Sequence, residues 1–158
     1  MHQAYIKTPV GYCLIEGDEN GVSKIWAVND DLPAVDTVPG ALAAAVQQLG
    51  EYFEGGRKHF DFKLNPTGTD FQKKVWDALL QIPYGTTMSY MELSKKLGDV
   101  KAIRAVAAAN GKNPLWIVVP CHRVIGSDGS LTGYAGGLWR KKWLLEHETP
   151  PIQQSLFL

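Results

Sequence analysis

The chain has 158 residues, with 16 Lys and Arg against 16 Asp and Glu, and so no net formal charge. That length supports one or two small domains with cores, its 45% apolar content argues against wholesale disorder, and its longest apolar stretches, near 41–49 and 115–119, are far too short to cross a bilayer. Two cysteines, Cys13 and Cys121, exclude a disulfide framework and paired zinc knuckles, so a free thiol in a reducing compartment is the simpler reading and no metal is expected.

The opening MHQAYIKTPV lacks the apolar core of a secretion signal, which points to a cytoplasmic protein. Residues 1–65 hold five Lys and Arg against nine Asp and Glu, whereas residues 66–158 hold eleven against seven. A polyanion would therefore prefer the second part. An excess of that size does not by itself identify a nucleic-acid-binding protein.

The first third reads as β-rich. Segments 11–16 and 22–28 mix branched and aromatic residues, and Gly17-Asp18-Glu19-Asn20-Gly21 between them suggests a hairpin. A helix follows Pro39, with Leu42, Ala45, Val46, Leu49 and Phe53 on one face, and Gly55-Gly56 stops it. Residues 63–68, containing Asn65-Pro66, read as a linker.

The second part opens with Thr69-Asp70-Phe71-Gln72, a capping-box pattern, and Phe71, Val75, Ala78, Leu79 and Ile82 continue at helical spacing. Pro83-Tyr84-Gly85 ends that helix. Ser89-Tyr90-Met91-Glu92 is a second capping box, Gly98 a C-cap, and a third helix is predicted over 99–110. Two short helices around a Gly-containing turn have the outline of a helix-turn-helix, and equally of a helical hairpin with no DNA role. The third helix carries Lys101, Arg104 and Ala105 among alanines, with few long polar readers of base edges. Such a face suits close approach to a duplex backbone and insertion of one side chain, although alanine is also simply the best helix former.

The run 115–119 reads as a buried strand or extended segment ending in Pro120-Cys121-His122-Arg123. A lone Cys is usually an inert core residue, but an adjacent His makes a reactive thiol more plausible. In an extended segment neighbours point to opposite sides, so Cys121 and His122 would need a bridging water or an unusual turn. An orienting carboxylate is then expected on another segment, and Glu148, at the end of a last helix from Leu138, is the candidate. Residues 132–137, with three glycines around Tyr134 and Ala135, allow close approach of a flat ligand that Tyr134 could cover, or form a flexible turn without one.

From Thr69 to Glu148 the chain resembles the O6-alkylguanine-DNA alkyltransferase family. The resemblance rests on ordered pieces: Ile82-Pro83-Tyr84-Gly85, Ser89-Tyr90, Arg104-Ala105-Val106, Asn113-Pro114, Pro120-Cys121-His122-Arg123-Val124, Gly133-Tyr134-Ala135-Gly136-Gly137, and the ending Trp143-Leu144-Leu145-Glu146-His147-Glu148. It implies an α/β (α+β) protein: a small N-terminal ribonuclease H-like domain of β-sheet and helix over 1–65, and a mostly helical winged-helix/helix-turn-helix domain over 66–158 that binds DNA and carries the chemistry. It implies that Cys121 accepts the alkyl group irreversibly, that His122 takes its proton through a water, and that Glu148 holds His122. Asn113 would brace the site and Tyr90 help protonate the leaving guanine. Arg104 would fill the place of the flipped base, with Lys101, Ala105, Tyr90 and Arg123 also on the DNA. Tyr134, the Ala135 N–H, the carbonyls of Cys121 and Val124, and Lys141 at the mouth would form the base pocket. Trp116, where many relatives carry a smaller residue, either narrows that pocket or packs into the core. The implied partner is double-stranded DNA containing O6-alkylguanine, met by a monomer with no membrane attachment and no cofactor.

Three other readings fit parts of the pattern. A non-catalytic damage sensor would bind without transfer. A cysteine hydrolase using Cys121 and His122 would turn over repeatedly. A sequence-specific regulator would need more base-reading side chains than the third helix carries.

Overall fold

A computed structural model describes residues 1–33, 37–131, 134 and 136–149. The chain divides into two compact units, residues 1–67 with 114–116, and residues 68–113 with the chain from Ile117 onward.

The first unit is built on an antiparallel sheet of β1 (His2–Thr8), β2 (Gly11–Asp18) and β3 (Gly21–Val28), in that order. The predicted hairpin is β2–β3, pairing Asp18 with Gly21 across a turn in which Asp18 Oδ1 accepts the Asn20 N–H at 2.8 Å. Alternation buries Cys13, Ile15 and Ile25 completely or nearly so. Strand β1 was not predicted, because only Ala4 and Ile6 carry its apolar alternation between polar residues.

A 3-10 turn, Gly40–Leu42, leads into α1 (Ala43–Phe53), which packs on β1. Leu42, Ala45 and Leu49 are buried as predicted, but Gln48 and Tyr52 complete the buried face in place of Val46 and Phe53, which are only half-buried. Gln48 can be buried because Asp61 satisfies both ends of its amide: the carboxylate accepts from Nε2, and the Asp61 N–H donates to Oε1 at 3.0 Å. The expected linker also does structural work. The Val22 N–H donates to the Lys63 carbonyl at 2.9 Å, and the Asn65 N–H to the Val22 carbonyl at 2.7 Å. Further along β3, the Ile25 N–H donates to the Pro114 carbonyl at 2.8 Å and its carbonyl accepts from the Trp116 N–H at 3.2 Å, so the edge of the sheet is covered twice.

In the second unit α2 (Asp70–Leu79) has the predicted capping box on Thr69 and Gln72. Phe71 is 40% exposed and lies outside the core; Trp76 takes that place, donating from Nε1 to the Ala109 carbonyl at 2.9 Å. A two-residue strand β4 (Met88–Ser89) precedes α3 (Tyr90–Lys96), capped by Ser89 and Glu92 as predicted. The third predicted helix is a 3-10 turn, Val100–Ala102, capped by the Asp99 side chain, followed by α4 (Ile103–Gly111). Helices α2 and α3 both pack on α4. Strand β5 (Val124–Ile125) pairs parallel with β4, and α5 (Leu138–Glu148) closes the described chain.

The run 115–119 is buried throughout, but it is a turn rather than a strand. Ile117 has φ +72°, a left-handed conformation that costs a β-branched residue free energy. The architecture is of the mixed α/β class expected: a small sheet with a helix, then a mostly helical unit. No helix among the described residues is long and apolar enough to cross a membrane.

Candidate active site

Cys121 opens a 3-10 turn, Cys121–Arg123, in which the Arg123 N–H donates to the Pro120 carbonyl at 3.0 Å and the Val124 N–H to the Cys121 carbonyl. The segment is therefore a turn where an extended chain was expected. All three turn residues are buried, with His122 fully enclosed. The turn runs straight into β5, where Val124 lies opposite Met88 and Ile125 opposite Ser89, so the start of α3 at Tyr90 is delivered next to the cysteine segment.

The last turn of α5 brings Glu148 to the same place. His122 Nε2 lies 2.7 Å from Glu148 Oε2, and Arg123 donates from Nε to Oε1 at 2.7 Å and from Nη2 to Oε2 at 3.1 Å. Arg123 Nη1 donates to the Ile82 carbonyl at 2.7 Å. The expected assignment of Arg123 to the DNA surface is thus corrected: it is 6% exposed, and its donors are committed inside the protein. Gly85 allows this assembly to close. It adopts φ +79°, and a Cβ there would stand 3.0 Å from the Glu148 carbonyl oxygen.

Burial raises the Glu148 carboxyl, but the imidazole of His122 and the guanidinium of Arg123 together outweigh it and hold the group well below the usual carboxylate range. A carboxyl depressed on folding stabilises the native state above its ordinary pKa of about 4.3, and that contribution is lost as pH falls. Wild-type stability should therefore fall more steeply than that of Glu148→Gln as pH drops below about 5, by up to about 1.4 kcal/mol per pH unit. Urea titrations at stepped pH would measure it, and parallel profiles would contradict it.

Around the thiol, burial pushes the Cys121 pKa up, while hydrogen bonds with Asn113 and Tyr134 and the ammonium of Lys141 act to lower it. Asn113 also donates from Nδ2 to the Val119 carbonyl at 2.7 Å. Lys141, expected at a pocket mouth, is fully buried: Nζ donates to the Val124 carbonyl at 2.7 Å and lies 6.0 Å from the Tyr134 ring centroid. Desolvation lowers its pKa to about 8, against the raising influence of Cys121. His122 Nδ1 is buried with no hydrogen-bond partner among the described residues. Thr132, Gly133 and Ala135 lie outside the described residues, so the expected Ala135 N–H donor does too.

Lys101, in the 3-10 turn before α4, and Arg104 and Ala105, in its first turn, are exposed, while the other side of α4 buries Val106, Ala109 and Asn110. Tyr90 is half-buried, and its hydroxyl accepts from Asn110 Nδ2 at 3.3 Å. Trp116 is 6% exposed and belongs to the first unit, with its ring centroid 6.3 Å from that of Phe53. Cys13 is an enclosed core thiol, pushed up to about 12 by burial and so unreactive at neutral pH. Among the described residues no cluster of His, Cys, Asp and Glu is placed to hold a metal ion.

The arrangement can support nucleophilic chemistry: a shielded thiol beside a cation, and an imidazole locked by a carboxylate that is itself clamped by a guanidinium. Sequence reasoning missed that clamp and the Asn110–Tyr90 contact. The signal for the first was the packing of Arg123 directly after Cys-His; nothing in the spacing marked the second.

Residues 1–66 match the family model for the ribonuclease-like domain of 6-O-methylguanine DNA methyltransferase, and residues 70–150 the model for its DNA binding domain. A methylated-DNA–protein-cysteine methyltransferase of Mycobacterium tuberculosis is 45% identical over 163 residues, covering 99% of both chains. Its counterpart in Methanosarcina acetivorans is 44% identical over 162 residues, covering 94% of this chain and 98% of the other. Among solved structures, Mycobacterium tuberculosis OGT in complex with DNA superposes with a TM-score of 0.85 at 44% identity, covering both chains completely.

Proposed function

From the premise that the chain belongs to the 6-O-methylguanine DNA methyltransferase family, and is an enzyme of the methylated-DNA–protein-cysteine methyltransferase type, we propose that it repairs duplex DNA by taking the alkyl group of O6-alkylguanine onto Cys121, once per molecule. The observation that carries this reading is the buried Cys121–Arg123 turn, with His122 and Arg123 both bonded to Glu148.

The target atom lies inside a stacked duplex, so the base must leave the stack. Arg104, exposed in the first turn of α4, fills the vacated place, while Lys101 and Ala105 lie along the backbone. The extruded base enters beside Tyr134, and its amine is received by the carbonyls of Cys121 and Val124. Each of these accepts one internal hydrogen bond, so each retains a second lone pair. His122 takes the thiol proton through a water, and Glu148 stabilises the resulting imidazolium. The thiolate attacks the alkyl carbon; the S–C bond forms as the C–O6 bond breaks, and the electron pair stays on the guanine. Tyr90 supplies a proton to the departing base. The product is a thioether, which a second thiol does not exchange, so the protein is consumed. In this scheme residues 1–65 are structural, residues 66–158 carry binding and chemistry, and a monomer suffices.

Intact-protein mass spectrometry after incubation with a duplex holding one O6-methylguanine tests the proposal. One added methyl per molecule is expected, absent from Cys121→Ser and stopping at one equivalent. Binding without any mass gain would favour the damage-sensor reading, and repeated turnover would eliminate single use.

A further inference from the structure

We infer that Asn110 is a positioning residue for the transfer step: by donating to the Tyr90 hydroxyl it leaves that hydroxyl's own proton directed at the substrate. This rests on the role proposed above for Tyr90.

Asn110 sits on the inner face of α4 at 4% exposure, beside Ala109 and one turn after Val106. Its backbone is tied down. The Ala109 carbonyl accepts the Trp76 indole N–H at 2.9 Å, and the Asn110 carbonyl accepts the Asn113 N–H at 3.3 Å. Of its side-chain amide, Nδ2 reaches the Tyr90 hydroxyl at 3.3 Å, while Oδ1 is buried and has no hydrogen-bond partner among the described residues. A buried carbonyl without a donor is destabilising, and an apolar side chain of similar volume would avoid it. Stability alone therefore gives no reason for an asparagine here.

Its effect on Tyr90 gives one. A phenol has a single proton and also accepts. When Asn110 donates, the tyrosine oxygen is the acceptor in that contact, and its proton must point elsewhere. Tyr90 is also fixed at its root. It is the first residue of α3, directly after the β4–β5 pairing, and its carbonyl accepts from Ser94 Oγ at 2.9 Å. Tyr90 is thus fixed at its root, and Asn110 occupies one acceptor side of its hydroxyl and keeps the proton off that side.

The test is a double-mutant cycle read as the single-turnover rate constant on a saturating O6-methylguanine duplex, alongside duplex affinity and thermal unfolding. Asn110→Leu should lower the rate constant about tenfold, a fraction of what a positioned proton donor contributes, with affinity changed less than about twofold. Asn110→Asp keeps the shape but replaces the donor with an acceptor, which turns the hydroxyl around; it should lose at least as much. In a Tyr90→Phe background neither change should have a further effect, because no proton remains to direct. A wild-type rate constant for Asn110→Leu, or losses that multiply with that of Tyr90→Phe, would overturn the inference while leaving alkyl transfer intact. A wild-type rate constant for Tyr90→Phe would instead remove the tyrosine role on which it stands.

Discussion

Glu148→Gln is expected to lower folding stability by about 3–5 kcal/mol at neutral pH and to slow alkyl transfer more than about a hundredfold. The substitution keeps the shape of the side chain, removes its charge and turns one of its two acceptor oxygens into an NH2 donor. Arg123, 6% exposed, is then a buried cation with no counterion, and it and the fully enclosed His122 are left to share a single neutral acceptor oxygen. Breaking one partner of such a set costs far more than the net worth of the pair, because the remaining charge stays desolvated. The structural and chemical parts of this effect separate in the double variant Arg123→Met with Glu148→Gln. Removing both charges should restore much of the stability, while transfer stays slow because His122 still has no carboxylate. Urea unfolding and single-turnover rates would read the two quantities. A single-variant loss below about 1 kcal/mol, or a double variant no more stable than the single, would refute the clamp.

The second large effect concerns Lys141, and it has opposite signs for stability and for chemistry. The lysine is fully buried, makes a 2.7 Å hydrogen bond to the Val124 carbonyl, and has its pKa lowered to about 8 by desolvation. In the unfolded chain an ordinary lysine titrates at about 10.4. Below pH 8 both states are protonated and the folded state bears the full penalty; as pH rises from about 8 to 10.4 the penalty disappears, so stability rises with pH over that window. Lys141→Met should therefore stabilise the protein by about 1–3 kcal/mol at pH 7, after allowing for the lost hydrogen bond, and the gain should fade by about pH 10. The comparison belongs in a Cys121→Ser background, where the raised pKa of the thiol adds no titration of its own. With Cys121 present the same change removes a cation that lowers the thiol pKa, so transfer near pH 7 should slow about tenfold. A destabilised Lys141→Met at pH 7, or a gap independent of pH, would show that the ammonium is not carried at a cost to the fold.

What the sequence revealed depended on how local each signal was. The caps at Thr69 and Ser89 and the β2–β3 turn involve residues within four positions of one another, and their side-chain chemistry is enough to place them. Part of the α1 face, Leu42, Ala45 and Leu49, follows from periodicity, but Gln48 looks polar until Asp61 satisfies it. Phe71 and Trp76 exchanged their expected places because the indole N–H finds a partner on α4, a contact set by tertiary packing rather than periodicity. At the site, the Cys-His pair called for an orienting carboxylate and Glu148 was the candidate, and the family resemblance gave these residues the same roles. The inward turn of Arg123 was not legible: a basic residue beside a reactive cysteine reads as a surface cation until Ile82 and Glu148 are seen to receive its donors. The positive φ of Ile117 was equally hidden, since a run of five apolar residues describes a buried strand as well as a buried turn.

Residues 114–116 belong to the first unit, although residues 68–113 intervene before the chain returns to it. This sets a timetable for synthesis. A nascent chain that has emerged only as far as residue 67 presents the β3 edge at Ile25 bare, because the Pro114 carbonyl and the Trp116 N–H that pair there have not yet been made. At about 5–20 residues per second the ribosome needs roughly 2–10 s to supply them. The β3 edge at Ile25 is thus completed only once residues 114–116 have emerged, and until then its N–H and C=O groups there are unpaired.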